Sequence, residues 1–461
     1  MASLQQLKID ELGAGFSGQL LAPGSDGYDV ARRIWNAMVD KRPALIARCV
    51  TREDVVRAVD FARRYGLALA VRGGGHNIAG SAMLDGGLVI DLSPMRAVTV
   101  DVPGRRVTIE GGATLADLDA ATQPHGLATP AGINSTTGIA GLTLGGGFGW
   151  LSRKYGMTVD NLISAEVVTA AGEVVRASAT EHPDLFWALC GGSGNFGVVT
   201  RFEFQLHAVG PDVLSGLIVY PIAQAKAVLQ RYREFVAAAP DELTVWGVMR
   251  LAPPLPFLPP DVHGRPVLVL ALMYAGDPQR GEQLIAPLTQ FGTPAGAHVG
   301  VQPYAAWQQA FDPLLTPGAR NYWKSHNMVA LEDGLVDAAI AAVGTLPSPH
   351  GEIFIASLGG ATMRPAPEAT AYAHRGTRYV LNVHARWEDA ADDASNVRWA
   401  RDVFEAMAPF ASAGVYVNFL TADEADRVRV AYGPNYERLA QVKRRYDPDN
   451  LFRSNQNITP A

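Results

Sequence analysis

The sequence predicts an α+β fold: a glycine-punctuated first part in which helices and strands alternate, then an antiparallel sheet covered by helices. Three observations carry this expectation. Helix and strand signals alternate through roughly the first 210 residues. Glycine, 47 residues in all, crowds into 73–87, 132–149 and 191–197. Beyond residue 210 the β-patterned runs are interleaved with long amphipathic helices.

The elements follow in chain order. Thr51-Arg52-Glu53-Asp54 opens a helix as a capping box. Val55, Val56, Val59, Phe61 and Ala62 continue it as an apolar stripe. Leu67–Val71 reads as a short buried strand that runs into glycine, and 88–92 and 106–110 as further strands. Leu115–Thr122 and Pro183–Leu189 read as helices, 164–169 and 197–206 as strands. Prolines between 253 and 266 mark an irregular loop. Strands are expected at 267–271, 353–358 and 379–385, and helices at 221–238 and 396–407.

Composition narrows the function classes. A chain of 461 residues has room for two or three domains and a deep ligand cleft. A net charge of −6 with scattered basic residues argues against a nucleic-acid partner. Lys443-Arg444-Arg445 is the one tight basic cluster and reads as the solvated end of a helix. Two cysteines, Cys49 and Cys190, cannot build a disulfide framework or a cysteine-rich metal site. The ten histidines are dispersed with no H-E-x-x-H, so no metal is expected. Met1–Gln6 carries no leader signal and no run of about eighteen apolar residues occurs, so no membrane partner and a cytoplasmic location are expected.

Three glycine motifs carry chemistry. In Val71-Arg72-Gly73-Gly74-Gly75-His76-Asn77 a strand feeds a loop whose backbone N–H groups can form an anion-binding concavity, with Arg72 to add charge and His76 as a nucleophile. On the residues alone, the loop also fits a structural turn carrying a solvent histidine. Gly192-Ser193-Gly194-Asn195-Phe196-Gly197 matches G-x-G-x-x-G, but a helix precedes it and a strand follows. That order is the reverse of the dinucleotide fingerprint, so a Rossmann site is rejected here. The stretch from Gly138 to Gly149 is too glycine-rich for an element interior and too apolar for a surface loop. It suits a helix between tight turns, pressed against a flat ligand.

Together with Lys154-Tyr155-Gly156, Asp160-Asn161, Asp184–Ala188, Asn195–Thr200 and Lys443–Arg453, these motifs resemble the FAD-linked oxidases of the vanillyl-alcohol oxidase superfamily, in its berberine bridge enzyme-like branch. The resemblance covers nearly the whole chain. It implies a bipartite FAD-binding domain of the PCMH type, formed by 1–210 and 416–461, with a substrate domain inserted at 211–415. It implies FAD bonded covalently through His76 to the flavin 8α-methyl. Some members add a cysteine bond where this chain has Asn134, so a single attachment is expected. It places Arg72, Gly73, Gly74, Gly75 and Asn77 against the cofactor, with Gly132, Thr136, Thr137, Gly141, Gly145, Gly146, Val199, Asn455 and Asn457.

The activity implied is that of an oxidase. A small alcohol, amine or sugar-like substrate would pass a hydride to the flavin, and oxygen would take the electrons to give hydrogen peroxide. Alternatives are an oxidative cyclisation in natural-product biosynthesis and a non-catalytic flavin-binding protein. Tyr416 is the first candidate base. Read as a strand, Tyr416–Phe419 puts Tyr416 and Asn418 on one face, though Tyr416 also suits cross-strand packing. The strand at 379–386 puts Val380, Asn382 and His384 on one face, which adds Asn382 to the catalytic candidates. Relatives carry a polar residue where Val380 falls. Thr137 falls near the position linked to oxygen access, and Tyr322, Trp323 and Lys324 are expected to line the substrate cleft.

Overall fold

The helix Arg52–Tyr65 starts where the Thr51 hydroxyl accepts from the Asp54 amide and the Asp54 carboxylate accepts from the Thr51 amide, both at 3.1 Å. Its apolar stripe is buried against the first sheet. This computed structural model describes residues 9–412 and 414–461, so Met1–Gln6 lies outside the described residues. The first sheet contains β1 (Gln19–Leu21), β2 (Leu45–Arg48), β3 (Leu69–Arg72) and β4 (Leu88–Asp91), in the order β1-β2-β4-β3. β4 runs parallel to both β2 and β3. The glycine loop therefore leaves the carboxyl end of a parallel strand, where open α/β sheets hold their ligands.

A second, antiparallel sheet follows. It contains β5 (Val98–Asp101), β6 (Arg106–Glu110), β8 (Leu162–Val168), β9 (Val174–Ser178) and β10 (Val198–Gln205), with β7 (Leu127–Ala128) and β11 (His207–Ala208) forming a short ladder beside it. Its order is β5-β6-β10-β8-β9. Alternate residues Phe202 and Phe204 of β10 enter the core. β10 carries a register shift between Val199 and Arg201.

The third sheet is antiparallel and larger. Its strands are β12 (Asp212–Pro221), β13 (Leu243–Leu251), β14 (Pro266–Tyr274), β15 (Gly296–Pro303), β16 (Arg320–Met328), β17 (Glu352–Ser357) and β18 (Tyr379–Trp387). The order is β15-β12-β14-β13-β17-β18-β16. Helices Ala225–Ala238, Asp333–Val343 and Asp393–Met407 cover one face. The register of β18 shows why. Tyr379, Leu381, Val383, Ala385 and Trp387 pack under those helices, whereas Val380, Asn382, His384 and Arg386 alternate to the opposite face. The expected helix at 221–238 begins four residues late, at Ala225, after a 3-10 turn at Ile222–Gln224.

Two sequence expectations are corrected. Tyr416–Phe419 is not a strand: Val417–Phe419 is a 3-10 turn, closed by the Phe419 amide on the Tyr416 carbonyl at 3.0 Å. A buried alternating run of four residues fits both states, because the signal separating periods two and three needs more length. Lys443 is not on a solvated face. Arg444 and Arg445 are exposed, but the Lys443 ammonium is fully enclosed, donating to Asp447 Oδ2 at 2.6 Å and to the carbonyls of Asn195 and Phe452 at 2.7 and 2.9 Å. Among the described residues no helix is long and apolar enough to cross a membrane.

Removing the ammonium leaves the Asp447 carboxylate buried without a counter-charge. Lys443→Met should lower the unfolding free energy by about 3–5 kcal/mol. Lys443→Met with Asp447→Asn should recover part of that loss, as read from urea unfolding.

Candidate functional site

One cleft joins the three sheets. At one end it is walled by the loop after β3, the helix Ile139–Leu144, the turn at Ser193–Gly197 and the tail at Ser454–Gln456. The sequence brings these segments together through backbone contact. A Cβ on Gly74 would sit 2.3 Å from the Gly138 nitrogen, and one on Gly138 would sit 2.3 Å from the Gly74 nitrogen. Gly75 has φ +72°, where glycine is favoured. The loop thus lies flat on the start of the helix Ile139–Leu144.

The expected cofactor residues divide. Gly73, Gly74, Gly75, His76 and Asn77 face the cleft, as do Gly132, Thr137, Gly141, Val199 and Asn455. Arg72 does not. Its guanidinium turns back to donate to the Ala31 carbonyl and lies 3.9 Å from Asp91, while its Nε, buried without a partner, stands behind Gly75. Gly145 stands behind Asn418: a Cβ there would lie 2.2 Å from the Asn418 Oδ1. Gly146, at φ +116°, packs on Tyr372. Asn457 lies outside the cleft wall with its buried Oδ1 unpartnered.

His76 lies against Trp35, with ring centroids 4.9 Å apart and planes at 23°. Its Nε2 is 2.7 Å from the Thr136 hydroxyl, so Thr136 acts through His76 rather than on the cleft wall. Asn134 Oδ1 accepts from the Thr136 amide at 3.0 Å and from the Thr136 hydroxyl at 2.6 Å. The amide contact fixes which end of the carboxamide faces Thr136. The hydroxyl proton is then committed to Asn134, its oxygen accepts from Nε2–H, and the lone pair of the ring rests on Nδ1. Burial, then the charge of Arg386, push the His76 imidazole down to about 3, so it is neutral at physiological pH.

The other end of the cleft is aromatic. Trp246, Trp323, Phe354 and Phe419 line it, with Asn382, Asn418 and Tyr416 among them. The Tyr416 oxygen accepts from the Gly147 amide at 3.1 Å and from Asn418 Nδ2 at 3.0 Å, which leaves its own proton for a third partner. Burial pushes Tyr416 up to about 12. Asn382 Oδ1 is buried and has no partner in the protein. Of the trio on β16, Trp323 faces the cleft. Tyr322 and Lys324 do not, because alternation sends them to the other face, where both bond Asp423.

The comparisons with known proteins bear on this geometry. A family model described as "FAD binding domain" matches residues 43–178, and one described as "Berberine and berberine like" matches 415–459. The (R)-6-hydroxynicotine oxidase of Paenarthrobacter nicotinovorans is 32% identical over 458 residues, covering 96% of this chain and 97% of its own. The chain belongs to the berberine bridge enzyme-like FAD-linked oxidoreductases. Chitooligosaccharide oxidase of Gibberella zeae is 30% identical, covering 95% of this chain and 92% of its own. The crystal structure of 6-hydroxy-D-nicotine oxidase from Arthrobacter nicotinovorans superposes with a TM-score of 0.87 at 30% identity, covering 97% of this chain and 99% of that one. The architecture is that of the PCMH-type FAD-binding enzymes.

The residues of this berberine bridge enzyme-like protein fit FAD on their own terms. A Cβ on Gly141 or Gly194 would meet nothing within 4 Å, and neither residue has positive φ. Nothing in the protein requires glycine at these two cleft positions, whereas a flat ligand lying against the backbone does. Asn455, whose buried Oδ1 has no protein partner, lines the same space. Trp35 and Glu352 are among the cleft-wall groups that escaped the sequence reading. Trp35 sits in a stretch with no periodic signal, and Glu352, a charge at the first position of a strand, reads as a solvated strand end.

Gly194→Ala should leave the stability of the FAD-free protein within about 0.5 kcal/mol and lower its FAD content. Gly74→Ala, whose Cβ meets backbone, should cost about 1–3 kcal/mol before any cofactor is added. Thermal unfolding with flavin quantification separates the two outcomes.

Proposed function

We propose that the chain is an oxidase acting on a small alcohol, amine or sugar-like substrate, with FAD held by one covalent bond at His76 and electrons passed on to oxygen to give hydrogen peroxide. The observation that carries this reading is the continuity of the cleft. A neutral imidazole and an aromatic chamber with one unpartnered acceptor, Asn382 Oδ1, open onto the same space, with Trp35 standing between His76 and Trp323. Bound FAD supplies a two-electron acceptor in that space.

The residues divide the work. His76 Nδ1 offers the lone pair for the flavin bond. The amide nitrogen of Asn134 is no nucleophile, so no second tether forms there. The Gly73–Gly75 amides and Asn455 hold the cofactor's polar groups. The tryptophan and phenylalanine faces suit a planar ring or the apolar face of a sugar. Asn382 accepts from a substrate O–H or N–H, and Tyr416 donates to a substrate oxygen or nitrogen while Asn418 holds it in place. Segments 1–210 and 416–461 make up the cofactor unit and 211–415 the substrate unit. The named substrates of two relatives, a hydroxynicotine and chitooligosaccharides, support an amine or sugar donor.

Acid-precipitated wild-type protein should stay yellow, and His76→Ala should release all its flavin to the supernatant. A colourless wild-type pellet refutes the covalent bond. Anaerobic mixing with (R)-6-hydroxynicotine or chitobiose should bleach the flavin, and admitting air should restore it with release of peroxide. Asn382→Ala should lower kcat/KM by about 10–100-fold, the loss of about 1–3 kcal/mol from one hydrogen bond in a dry site.

A further inference from the structure

We infer that Glu352 and His384, paired across β17 and β18, are the group that takes the substrate's proton. This rests on the donor chemistry proposed above. Among the described residues, the titratable side chains lining the cleft are His76, Glu352, His384 and Tyr416. His76 is committed to the cofactor. Tyr416 is a phenol at neutral pH, already accepting two N–H bonds, so it is a donor and not the resting base. The expected role of Tyr416 as base therefore passes to the remaining pair.

The geometry of the pair is specific. Glu352 and His384 are direct partners in the β17–β18 register. Glu352 Oε2 accepts from Arg250 on β13 at 2.8 Å, and its Oε1 lies 3.5 Å from His384 Nδ1. The other imidazole nitrogen is spoken for. Asn321 on β16 uses its Nδ2 to bond the Ala319 carbonyl at 2.8 Å, so its Oδ1 is the end that Arg386 Nη1 and His384 Nε2 both address at 3.2 Å. His384 thus keeps its proton on Nε2, and two lone pairs face each other across the 3.5 Å gap. That gap is a place for one proton. Trp323 packs edge-on against the imidazole, ring centroids 4.4 Å apart.

The charges set the resting state. Burial and the guanidinium groups of Arg386 and Arg250 outweigh the pull of Glu352, so His384 lies below its ordinary value of 6.5. Burial raises the Glu352 carboxyl, but Arg250, His384 and Arg386 more than offset it, so it lies below the usual carboxylate range. Glu388, past the end of β18, acts on Arg386 rather than on the pair. At neutral pH the gap is empty and can accept. In the reaction the substrate C–H bond breaks and its electron pair passes with the hydrogen to the flavin. The substrate O–H or N–H proton passes to Glu352 Oε1 or His384 Nδ1 and is shared between them. Substrate loses two electrons, FAD gains two, and the proton stays on the protein as an imidazolium–carboxylate pair.

The test uses FAD-loaded enzyme carrying isotope-labelled histidine, with His384→Asn to assign the His384 NMR signal. In wild type that signal should titrate below pH 6.5, and in Glu352→Gln its midpoint should fall further, because the anion that favours the imidazolium is gone. An unmoved midpoint overturns the pair. In anaerobic stopped flow with (R)-6-hydroxynicotine and with chitobiose, the flavin reduction rate should rise with pH to a plateau. Glu352→Gln and His384→Asn should each lower the plateau about 10²–10³-fold and remove the rise, while Tyr416→Phe keeps the rise. A rise that persists in the first two variants overturns the inference. If neither probe bleaches the wild-type flavin, the donor chemistry fails, and the NMR midpoint still decides the pair.

Discussion

One wall of the cleft depends on a single fully buried ammonium group. Lys443 ties Asp447 to the carbonyls of Asn195 and Phe452, and the Asp447 carboxylate also accepts the Leu451 and Phe452 amides at 2.7 and 2.8 Å. Asn195 in turn accepts the Ile458 amide at 3.0 Å and donates to Gln456 at 3.2 Å. The last turn of the chain is thereby clamped onto the Gly192–Gly197 turn. A charge pair this deep is costly to bury and is tolerated where its hydrogen bonds are complete. Here they are, and the result is that Ser454–Gln456 reach the cleft wall from the far end of the sequence.

A second constraint works without charge. Gly74 and Gly138 meet backbone to backbone, which no side chain would allow. These contacts bring the loop after β3 and the helix Ile139–Leu144 into one surface. The Lys443 clamp adds the third wall. Segments distant in sequence thus converge through close approach and one buried ion pair, rather than through a continuous sheet.

The fold was legible where elements carry local signals. The capping box at Thr51, the helix Leu115–Thr122 and the alternation of β18 are all written in short windows of sequence. The loop at Gly73–Asn77 was legible as a turn because a buried strand runs straight into three glycines. What escaped depends on distant partners. Lys443 looks like a surface lysine until Asn195 and Asp447 are seen around it. Arg72 looks like a phosphate ligand until Ala31 and Asp91 claim it. Glu352 looks like a solvated strand end until β13 and β18 close on either side. Tyr416 and Asn418 do meet, though by a 3-10 turn and a side-chain hydrogen bond instead of strand alternation.

The two ends of the cleft are built on different materials. One wall is backbone and glycine, where a Cβ on Gly74 or Gly138 would meet the facing chain. Part of the chamber is a set of side chains on β16, β17 and β18, Trp323, Phe354, Asn382 and His384, each at an alternate position whose neighbours point the other way, under the helices. Exchanging one of them alters a single tile of the chamber and disturbs neither the helical layer nor the glycine wall. Such a scaffold lets selection drift through donor chemistries while the redox group stays fixed. A nicotine derivative and a chitin fragment can thus appear as substrates among proteins that share most of this chain's length.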